Sequence, residues 1–361
     1  MNKLESFLTE YFDGHHCRLF ARGSTGLYTL FRNLREIKGH GEVIIPGICC
    51  ETVAMAAIYA GLKPVLADVE KDTLCLSYST VKRLVSSKTR AIILVYIFGN
   101  LFNSAPFKEL KDQYSLVLIE DLAQAVGGVD KDRKPGKSYD FTLLSFANDK
   151  IIKGGGGAIV QRSPEGADLL SLNGGLSYPF LDERVLQQKE LSLRNLTHAL
   201  YDLSREDAAI DISKAFRIMV SCYRDLLVRK GKPLEEISIL KQFQRIEEER
   251  EKRYSKYLFY INHIKNDGLK IIKFSKNMMC WRMPVLTENP KDALCLTGLL
   301  RENNIDASNH YFPLEKLLYN SQYSNTTYIG SRIINLWVDD SVSLKQMKKT
   351  VELINSYRTI K

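Results

Sequence analysis

Three segments of the chain carry side chains that could bind an anion or act on an amine. The first is residues 22–26, R-G-S-T-G, which open a predicted helix. Gly23, Ser24 and Thr25 would bring free N–H groups and two hydroxyls to the helix N-terminus, where the positive end of the helix dipole favours a phosphate. An ordinary helix cap is the alternative interpretation of this segment on its own.

The second segment, residues 119–125, reads I-E-D-L-A-Q-A and places Asp121 and Gln124 where an apolar run ends. In parallel α/β sheets, ligands collect beyond the carboxyl ends of the strands, so Asp121 could face a ligand there. Taken alone, Asp121 could equally cap the turn that follows it.

The third segment, residues 145–158, joins Ser145 and Lys150 to four consecutive glycines in S-F-A-N-D-K-I-I-K-G-G-G-G-A. Four glycines carry a large backbone entropy penalty, and they predict a loop that passes close to a ligand or to another part of the chain. Most single lysines are simply solvated, so the case for Lys150 depends on the other two segments.

The elements that must position these residues can be predicted from apolar patterning. Short runs rich in Val and Ile predict buried strands at residues 42–46, 64–68, 91–99, 115–121, 141–146 and 157–161. Amphipathic stretches between them predict helices near residues 24–38, 50–61, 78–87 and 105–113. This alternation is typical of βαβ units, so we predict an α/β fold with a mainly parallel central sheet.

The rest of the chain has a different pattern. Residues 180–265 show helical periodicity, and from about residue 268 onward predicted strands and helices mix as in a small α+β domain. We therefore predict a large α/β domain with a helical extension over residues 1–245 and a small domain over residues 246–361.

Composition narrows the class of protein. The net charge of +9 is spread among acidic residues, as in E-E-E-R-E-K-R at 247–253, which favours a solvated surface over a nucleic-acid interface. No apolar run approaches the roughly 20 residues that span a bilayer, and the first residues lack the apolar stretch of a signal peptide. The seven cysteines form no CxxC pair and no metal-site spacing. We expect a cytoplasmic protein with reduced thiols and no metal.

Together the three segments resemble the fold-type-I enzymes that use pyridoxal phosphate. More closely, E-D-L-A-Q-A, then S-F-x-x-x-K and a G-G-A turn resemble the DegT/DnrJ/EryC1/StrS family of nucleotide-sugar aminotransferases. Residues 41–46, 60–69, 89–99 and 304–314 follow the order of motifs in that family. The resemblance covers residues 20–162 well and the C-terminal part loosely.

The resemblance implies a cofactor and a reaction. Lys150 would hold pyridoxal phosphate as a Schiff base and then move the proton, while Asp121 would pair with the pyridinium nitrogen. The cofactor phosphate would bind Gly23, Ser24, Thr25 and Ser145, and Gln124 would lie beside the ring. Glutamate would donate the amino group, a nucleotide-linked keto-sugar would accept it, and a homodimer would form the active sites.

Several positions depart from the family pattern. Cys50 stands where relatives often place an aromatic residue over the cofactor ring, and a thiol can pack against a ring face. Tyr96 replaces a frequent His, and Glu315 follows Pro-Leu where relatives often carry His. We therefore take Tyr96, His310 and Tyr311 as candidate substrate contacts. The nearest text to a family segment that the neighbouring subunit contributes is residues 175–179.

Two alternative functions stay open at this point. Relatives of this fold that dehydrate sugars typically lack the Schiff-base lysine, so Lys150 argues against a sugar dehydratase. Cys50 in place of the ring-stacking aromatic residue and the altered subunit segment leave a second alternative. In this alternative, a protein of this fold binds a cofactor or partner without catalysis.

Overall fold

The computed structural model describes residues 2–129, 134–162, 168–171, 182–206, 210–231 and 234–358. Its larger sheet has seven strands in the order β1-β7-β6-β5-β4-β2-β3. These strands are β1 (His16–Phe20), β2 (Glu42–Pro46), β3 (Lys63–Ala67), β4 (Thr89–Val95), β5 (Val117–Asp121), β6 (Phe141–Ser145) and β7 (Gly157–Gln161).

Strands β3, β2, β4, β5 and β6 run parallel, and β7 lies antiparallel between β6 and β1. Each of the predicted apolar runs overlaps one strand, so the mainly parallel α/β sheet is confirmed. Strand β1 was not predicted, because its sequence H-C-R-L-F mixes charged and apolar residues at the edge of the sheet.

Helices cover both faces of this sheet. They are α1 (Lys3–Tyr11), α2 (Gly23–Lys38), α3 (Glu51–Tyr59), α4 (Tyr78–Leu84) and α5 (Phe107–Tyr114). Since side chains alternate along a strand, Ile119 packs in one core and Leu118 in the core on the opposite face. The same alternation sends Asp121 to the face of Ile119 and Glu120 to the face of Leu118.

Helices also dominate the middle of the chain, as the periodicity predicts. They are α6 (Asp168–Ser171), α7 (Glu183–Glu206), α8 (Ser213–Val220), α9 (Arg224–Leu227), α10 (Glu236–Gln244) and α11 (Ile246–His263). The hydroxyl of Tyr59 on α3 donates to the carbonyl of Val220 at 2.6 Å, which ties these helices to the large sheet. None of the helices in the described ranges is long and apolar enough to cross a membrane.

A second, antiparallel sheet lies in the C-terminal part, with the strand order β10-β11-β9-β8. Its strands are β8 (Leu269–Ile271), β9 (Arg282–Thr287), β10 (Ala307–Ser308) and β11 (Ile333–Trp337), and its helices are α12 (Pro290–Glu302), α13 (Leu314–Tyr319), α14 (Ser324–Arg332) and α15 (Leu344–Ser356). The small α+β part is thus confirmed, while the exact boundary at residues 245 and 246, between α10 and α11, stays a prediction. The N–H of Trp281 donates to the carbonyl of Phe98 at 2.9 Å, so β9 begins directly beside the loop after β4.

Candidate active site

The predicted acid and amine lie at the same edge of the large sheet. Asp121 is the last residue of β5, and Lys150 follows the last residue of the neighbouring β6 by five positions. Asp121 is 6% exposed, and its Oδ1 accepts a hydrogen bond from the N–H of Ala123 at 2.9 Å. Burial raises the pKa of Asp121 to about 6, against the opposing effects of that hydrogen bond and of the positive charge of Lys150. The two groups therefore share one cleft.

The Lys150 side chain is directed into the cleft and is only 14% exposed. Its Nζ lies 3.2 Å from Oδ2 of Asp149 and 4.8 Å from the ring centre of Trp281. The Trp281 indole N–H donates to the carbonyl of Asp149 at 2.7 Å, which fixes the loop that carries Lys150. Burial would raise the pKa of Asp149, but the charges of Lys150 and Arg282 outweigh it and lower that pKa. Asp149 is therefore a carboxylate that holds the amine.

The predicted phosphate site forms the first turn of α2. Arg22 is the N-cap and makes no side-chain capping bond, so the first N–H groups of this 16-residue helix point outward. The Thr25 hydroxyl is buried and has no hydrogen-bond partner among the described residues. A Cβ atom added to Gly23 would lie 3.4 Å from Cβ of Ser145, so these residues are adjacent. The structure brings Gly23, Thr25 and Ser145 together.

Three of the four glycines, Gly154, Gly156 and Gly157, allow close approaches of the chain to itself, as the sequence predicts. Gly156 has a positive φ of 73°, and a Cβ there would lie 2.6 Å from the carbonyl oxygen of Phe20. A Cβ on Gly157 would lie 2.4 Å from the N–H nitrogen of Gly23. Larger residues would push the helix N-terminus away from Ser145.

Cys50 is the N-cap of α3 and faces the same cleft. Its Sγ lies 3.1 Å from the hydroxyl oxygen of Thr52, and burial raises the pKa of the thiol to about 12, although the charge of Lys150 opposes this. The thiol is consequently protonated near neutral pH and can serve as a packing surface. The neighbouring Glu51 is partly buried, which raises its pKa, and it accepts a hydrogen bond from the Tyr223 hydroxyl at 3.2 Å.

Gln124 connects the large sheet to the small one. Its Nε2 donates to the hydroxyl of Tyr311 at 2.7 Å, and its Oε1 accepts from the N–H of Phe98 at 2.6 Å. The amide thus positions Tyr311, whose pKa burial raises well above its usual value. His310 points elsewhere, since its ring centre lies 4.2 Å from that of His198 on α7. Tyr311 lies near the cleft and His310 lies against the helical middle of the chain.

Tyr96 is not brought into the cleft. Its hydroxyl donates to Oε1 of Glu120 at 2.9 Å, on the face of β5 opposite to Asp121. The residue is 2% exposed and packs against Phe102, with ring centres 5.2 Å apart. Tyr96 was a candidate substrate contact because of its position in the family pattern. Its hydroxyl binds Glu120 instead, and Glu120 lies on the face of β5 opposite to Asp121 because side chains alternate along a strand.

Glu315, which stands at the family's frequent His position, lies beneath the loop after β2. Its Oε1 accepts from the hydroxyls of Thr326 at 2.6 Å and Thr327 at 3.1 Å, and burial raises its pKa to about 7. The N–H of Leu314 donates to the carbonyl of Gly47 at 2.8 Å. Leu314 and Glu315 therefore support the loop that leads to Cys50.

Other residues of the cleft were missed at the sequence level. Arg22 makes two hydrogen bonds of 2.6 Å to the carboxylate of Glu190 on α7, and the motif R-G-S-T-G could have identified it. Trp281 and Arg282 were not predicted as site residues. They follow Lys150 by more than a hundred residues, and only the packing of the small sheet brings them to it. Residues 175–179, the nearest match to the subunit segment, lie outside the described ranges.

The two sheets have the arrangement of the fold-type-I transferase fold. Solved structures with this fold align with nearly the whole chain. PseC of Helicobacter pylori, an aminotransferase involved in the biosynthesis of pseudoaminic acid, has a TM-score of 0.74 over 97% of this chain and 89% of that chain, at 19% identity. The sugar aminotransferase CalS13 of Micromonospora echinospora has a TM-score of 0.72 over 98% and 90%, at 17% identity. At these identities the likeness establishes the fold.

Sequence comparison relates the N-terminal part of the chain to one enzyme family. Residues 1–175 match the DegT/DnrJ/EryC1/StrS aminotransferase family. The GDP-perosamine synthase of Vibrio cholerae is 30% identical over 164 residues, which cover 45% of this chain and 44% of that protein. The L-glutamine:2-deoxy-scyllo-inosose aminotransferase of Streptomyces kanamyceticus is 32% identical over 162 residues, 44% of this chain and 38% of that protein. The N-terminal part of the chain is thus similar to this family, and the matched segments cover less than half the length of these curated relatives.

Proposed function

We propose that the protein is a pyridoxal-phosphate-dependent aminotransferase that moves an amino group from glutamate to a nucleotide-linked keto-sugar. The observation that carries the proposal is the meeting of Lys150 and Asp121 in one cleft, where the charge of the amine acts on the carboxyl group. The family relatives support the same reaction class, since they include enzymes named as an amino-sugar synthase and an aminotransferase of a cyclic ketone.

The residues of the cleft fit this cofactor. A phosphate at the N-terminus of α2 would meet free N–H groups and would give the buried hydroxyl of Thr25 the partner that it lacks in the described chain. A protonated pyridine nitrogen would give the buried carboxyl group of Asp121 a cation, which offsets its desolvation. The thiol of Cys50 would pack against the ring face. The phosphate, the protonated nitrogen and the ring face of the cofactor would thus each contact a different part of the cleft.

When bound, the cofactor supplies an electron-withdrawing ring that stabilises the electron pair left by removal of a proton beside the reacting nitrogen. Lys150 holds and moves that proton, because its amine is directed into the cleft by Asp149 and Trp281. Asp121 would keep the proton on the pyridine nitrogen of the bound cofactor. Gln124 holds the hydroxyl of Tyr311, and the first turn of α2 would bind the phosphate.

Removing the Thr25 hydroxyl should weaken cofactor binding without destabilising the cofactor-free protein. We expect Thr25→Val to weaken pyridoxal phosphate binding about 10-fold, because one hydrogen bond to an anion is lost. The same change should leave the cofactor-free protein equally or more stable, since it removes a buried hydroxyl without a partner. Equilibrium dialysis and denaturant unfolding measure the two effects. A loss of stability without a loss of affinity would contradict this assignment.

The reaction is tested by incubating the loaded protein with glutamate labelled with heavy nitrogen and a panel of nucleotide keto-sugars. We expect a visible absorbance band at roughly 410 to 430 nm that glutamate bleaches, and transfer of the label to a sugar amine detected by mass spectrometry. Ammonia together with a deoxygenated sugar would instead indicate dehydration. A protein that neither binds the cofactor nor transfers the label would be a scaffold.

We also propose that the protein forms a homodimer, as the family resemblance implies, and that residues 1–245 and 246–361 are its two domains. Sedimentation analysis of the purified chain tests the first proposal. Limited proteolysis with mass mapping of the fragments tests the second, since a domain boundary should be cleaved before the domains themselves.

A further inference from the structure

The guanidinium of Arg282 lies between two tryptophan rings at the edge of the cleft. Its Cζ is 4.1 Å from the ring centre of Trp281 and 3.7 Å from that of Trp337. The pairing of β9 with β11 places Arg282 directly opposite Trp337, so the stack is built into the strand register. Trp281 also contacts Lys150, whose Nζ is 4.8 Å from its ring centre. One indole therefore carries both the reactive amine and a fixed guanidinium.

The two indole rings cover the flat faces of the Arg282 guanidinium, but they do not accept hydrogen bonds from its N–H groups. The guanidinium forms no hydrogen bond or ion pair with any residue of the described ranges. Burial lowers the pKa of Arg282, and the nearby Tyr311, Asp149 and Asp339 oppose this effect at longer range. Of the two acids, Asp149 has its carboxylate paired with Lys150. A partly buried guanidinium whose edge lacks an acceptor is ready to bind an anion.

We propose that Arg282 forms an anion subsite of the cleft and binds the carboxylate of the amino-acid donor. This inference rests on the proposed function, because it assigns the donor to the cleft of Lys150. The planar fork of an arginine matches a carboxylate with two parallel hydrogen bonds, and stacking by Trp281 and Trp337 fixes the plane of that fork.

The position of Arg282 favours the donor over the nucleotide as the source of the anion. In an amino acid, the carboxylate is attached to the carbon that carries the reacting amine, so it must bind close to Lys150. The phosphates of a nucleotide sugar are separated from the reacting carbon by much of the sugar ring. Because Arg282 and Lys150 contact the same indole ring, the shorter separation fits better.

The subsite is tested with probes that cannot react. Calorimetric titration of the cofactor-loaded protein would use glutarate, a dicarboxylate without an amine, and uridine diphosphate in a separate arm. We expect Arg282→Gln to weaken glutarate binding and to raise KM for glutamate by about 10- to 100-fold, with little change for uridine diphosphate. Arg282→Lys should restore part of the affinity, since it keeps the charge but loses the fork.

Arg332→Gln is the matched control, because Arg332 also stacks on an aromatic ring, with its Cζ 4.5 Å from the centre of Tyr328, but belongs to α14. It should leave both titrations unchanged. Unchanged glutarate binding in folded Arg282→Gln would overturn the proposal, as would a selective loss of uridine diphosphate binding. If glutarate binding depends on Arg282 while no amino group is transferred to any sugar, the subsite stands and the proposed function fails.

Discussion

Replacing Lys150 with alanine is expected to lower kcat for amino transfer by about 10⁴-fold or more. The charge of the amine acts on Asp121 and its Nζ lies 4.8 Å from the ring centre of Trp281, and a positioned acid or base contributes about 10² to 10⁴-fold on its own. Loss of the covalent attachment of the cofactor adds to this effect. Rapid-mixing kinetics with glutamate measure the change in the first half of the reaction.

Lys150→Arg separates the charge from the proton transfer. Arginine keeps a cation next to Asp149, but it does not release a proton in the pH range of an enzyme. We expect it to be as inactive as the alanine variant while retaining the fold. Lys153→Ala is the control, since Lys153 lies on the same loop with an exposed side chain. Activity of Lys150→Arg within about 10-fold of the natural protein would rule out Lys150 as the base.

The strands of the large sheet could be predicted because burial on both faces requires continuous apolar runs. The run at residues 42–46 coincides with β2, and the predicted helix near residues 24–38 agrees with α2 to within one residue. The edge strand β1 escaped prediction for the same reason, since it is partly exposed and carries His16 and Arg18. Apolar patterning reveals a strand whose own residues are apolar on both faces. It does not reveal a strand of mixed residues that is covered only by packing against its neighbours.

The candidate site was predictable where a residue's position depends on its own strand. Asp121 and Lys150 follow apolar strands, and the topology of a parallel sheet brings strand ends to one edge. Gln124 was predicted beside the cofactor, but its contacts to Tyr311 and Phe98 depend on the docking of the small sheet. Arg282 depends on that docking too. No local pattern encodes a contact between two sheets whose strands are far apart in the sequence.

Asp121→Asn should lower kcat by about 10² to 10³-fold, the effect of removing one fixed electrostatic partner of a charged transition state. The amide keeps the shape of the carboxyl group but cannot hold a proton on the pyridine nitrogen. Glu120→Gln is the matched control, since Glu120 is the preceding residue of β5 and its side chain binds Tyr96 on the opposite face of the sheet. It should keep cofactor binding and activity.

The same substitution should stabilise the cofactor-free protein above pH 6. Burial raises the pKa of Asp121 from 3.8 to about 6, so its contribution to stability is fully present below about pH 4 and is lost as the pH rises through 6. Asparagine has no such titration. At pH 8 its free energy of unfolding should exceed that of the natural protein by roughly 2 to 3 kcal/mol, and at pH 4 the two should be equal.

Denaturant unfolding at both pH values tests this effect without any cofactor. A gain in stability at pH 8 together with a loss of activity would mean that the fold keeps a carboxylate that is unfavourable until a cation pairs with it. Such a cost is expected of a functional group and not of a structural one. If Asp121→Asn instead destabilises the cofactor-free protein at pH 8, the carboxyl group serves the fold, and its assignment to the pyridine nitrogen loses its physical basis.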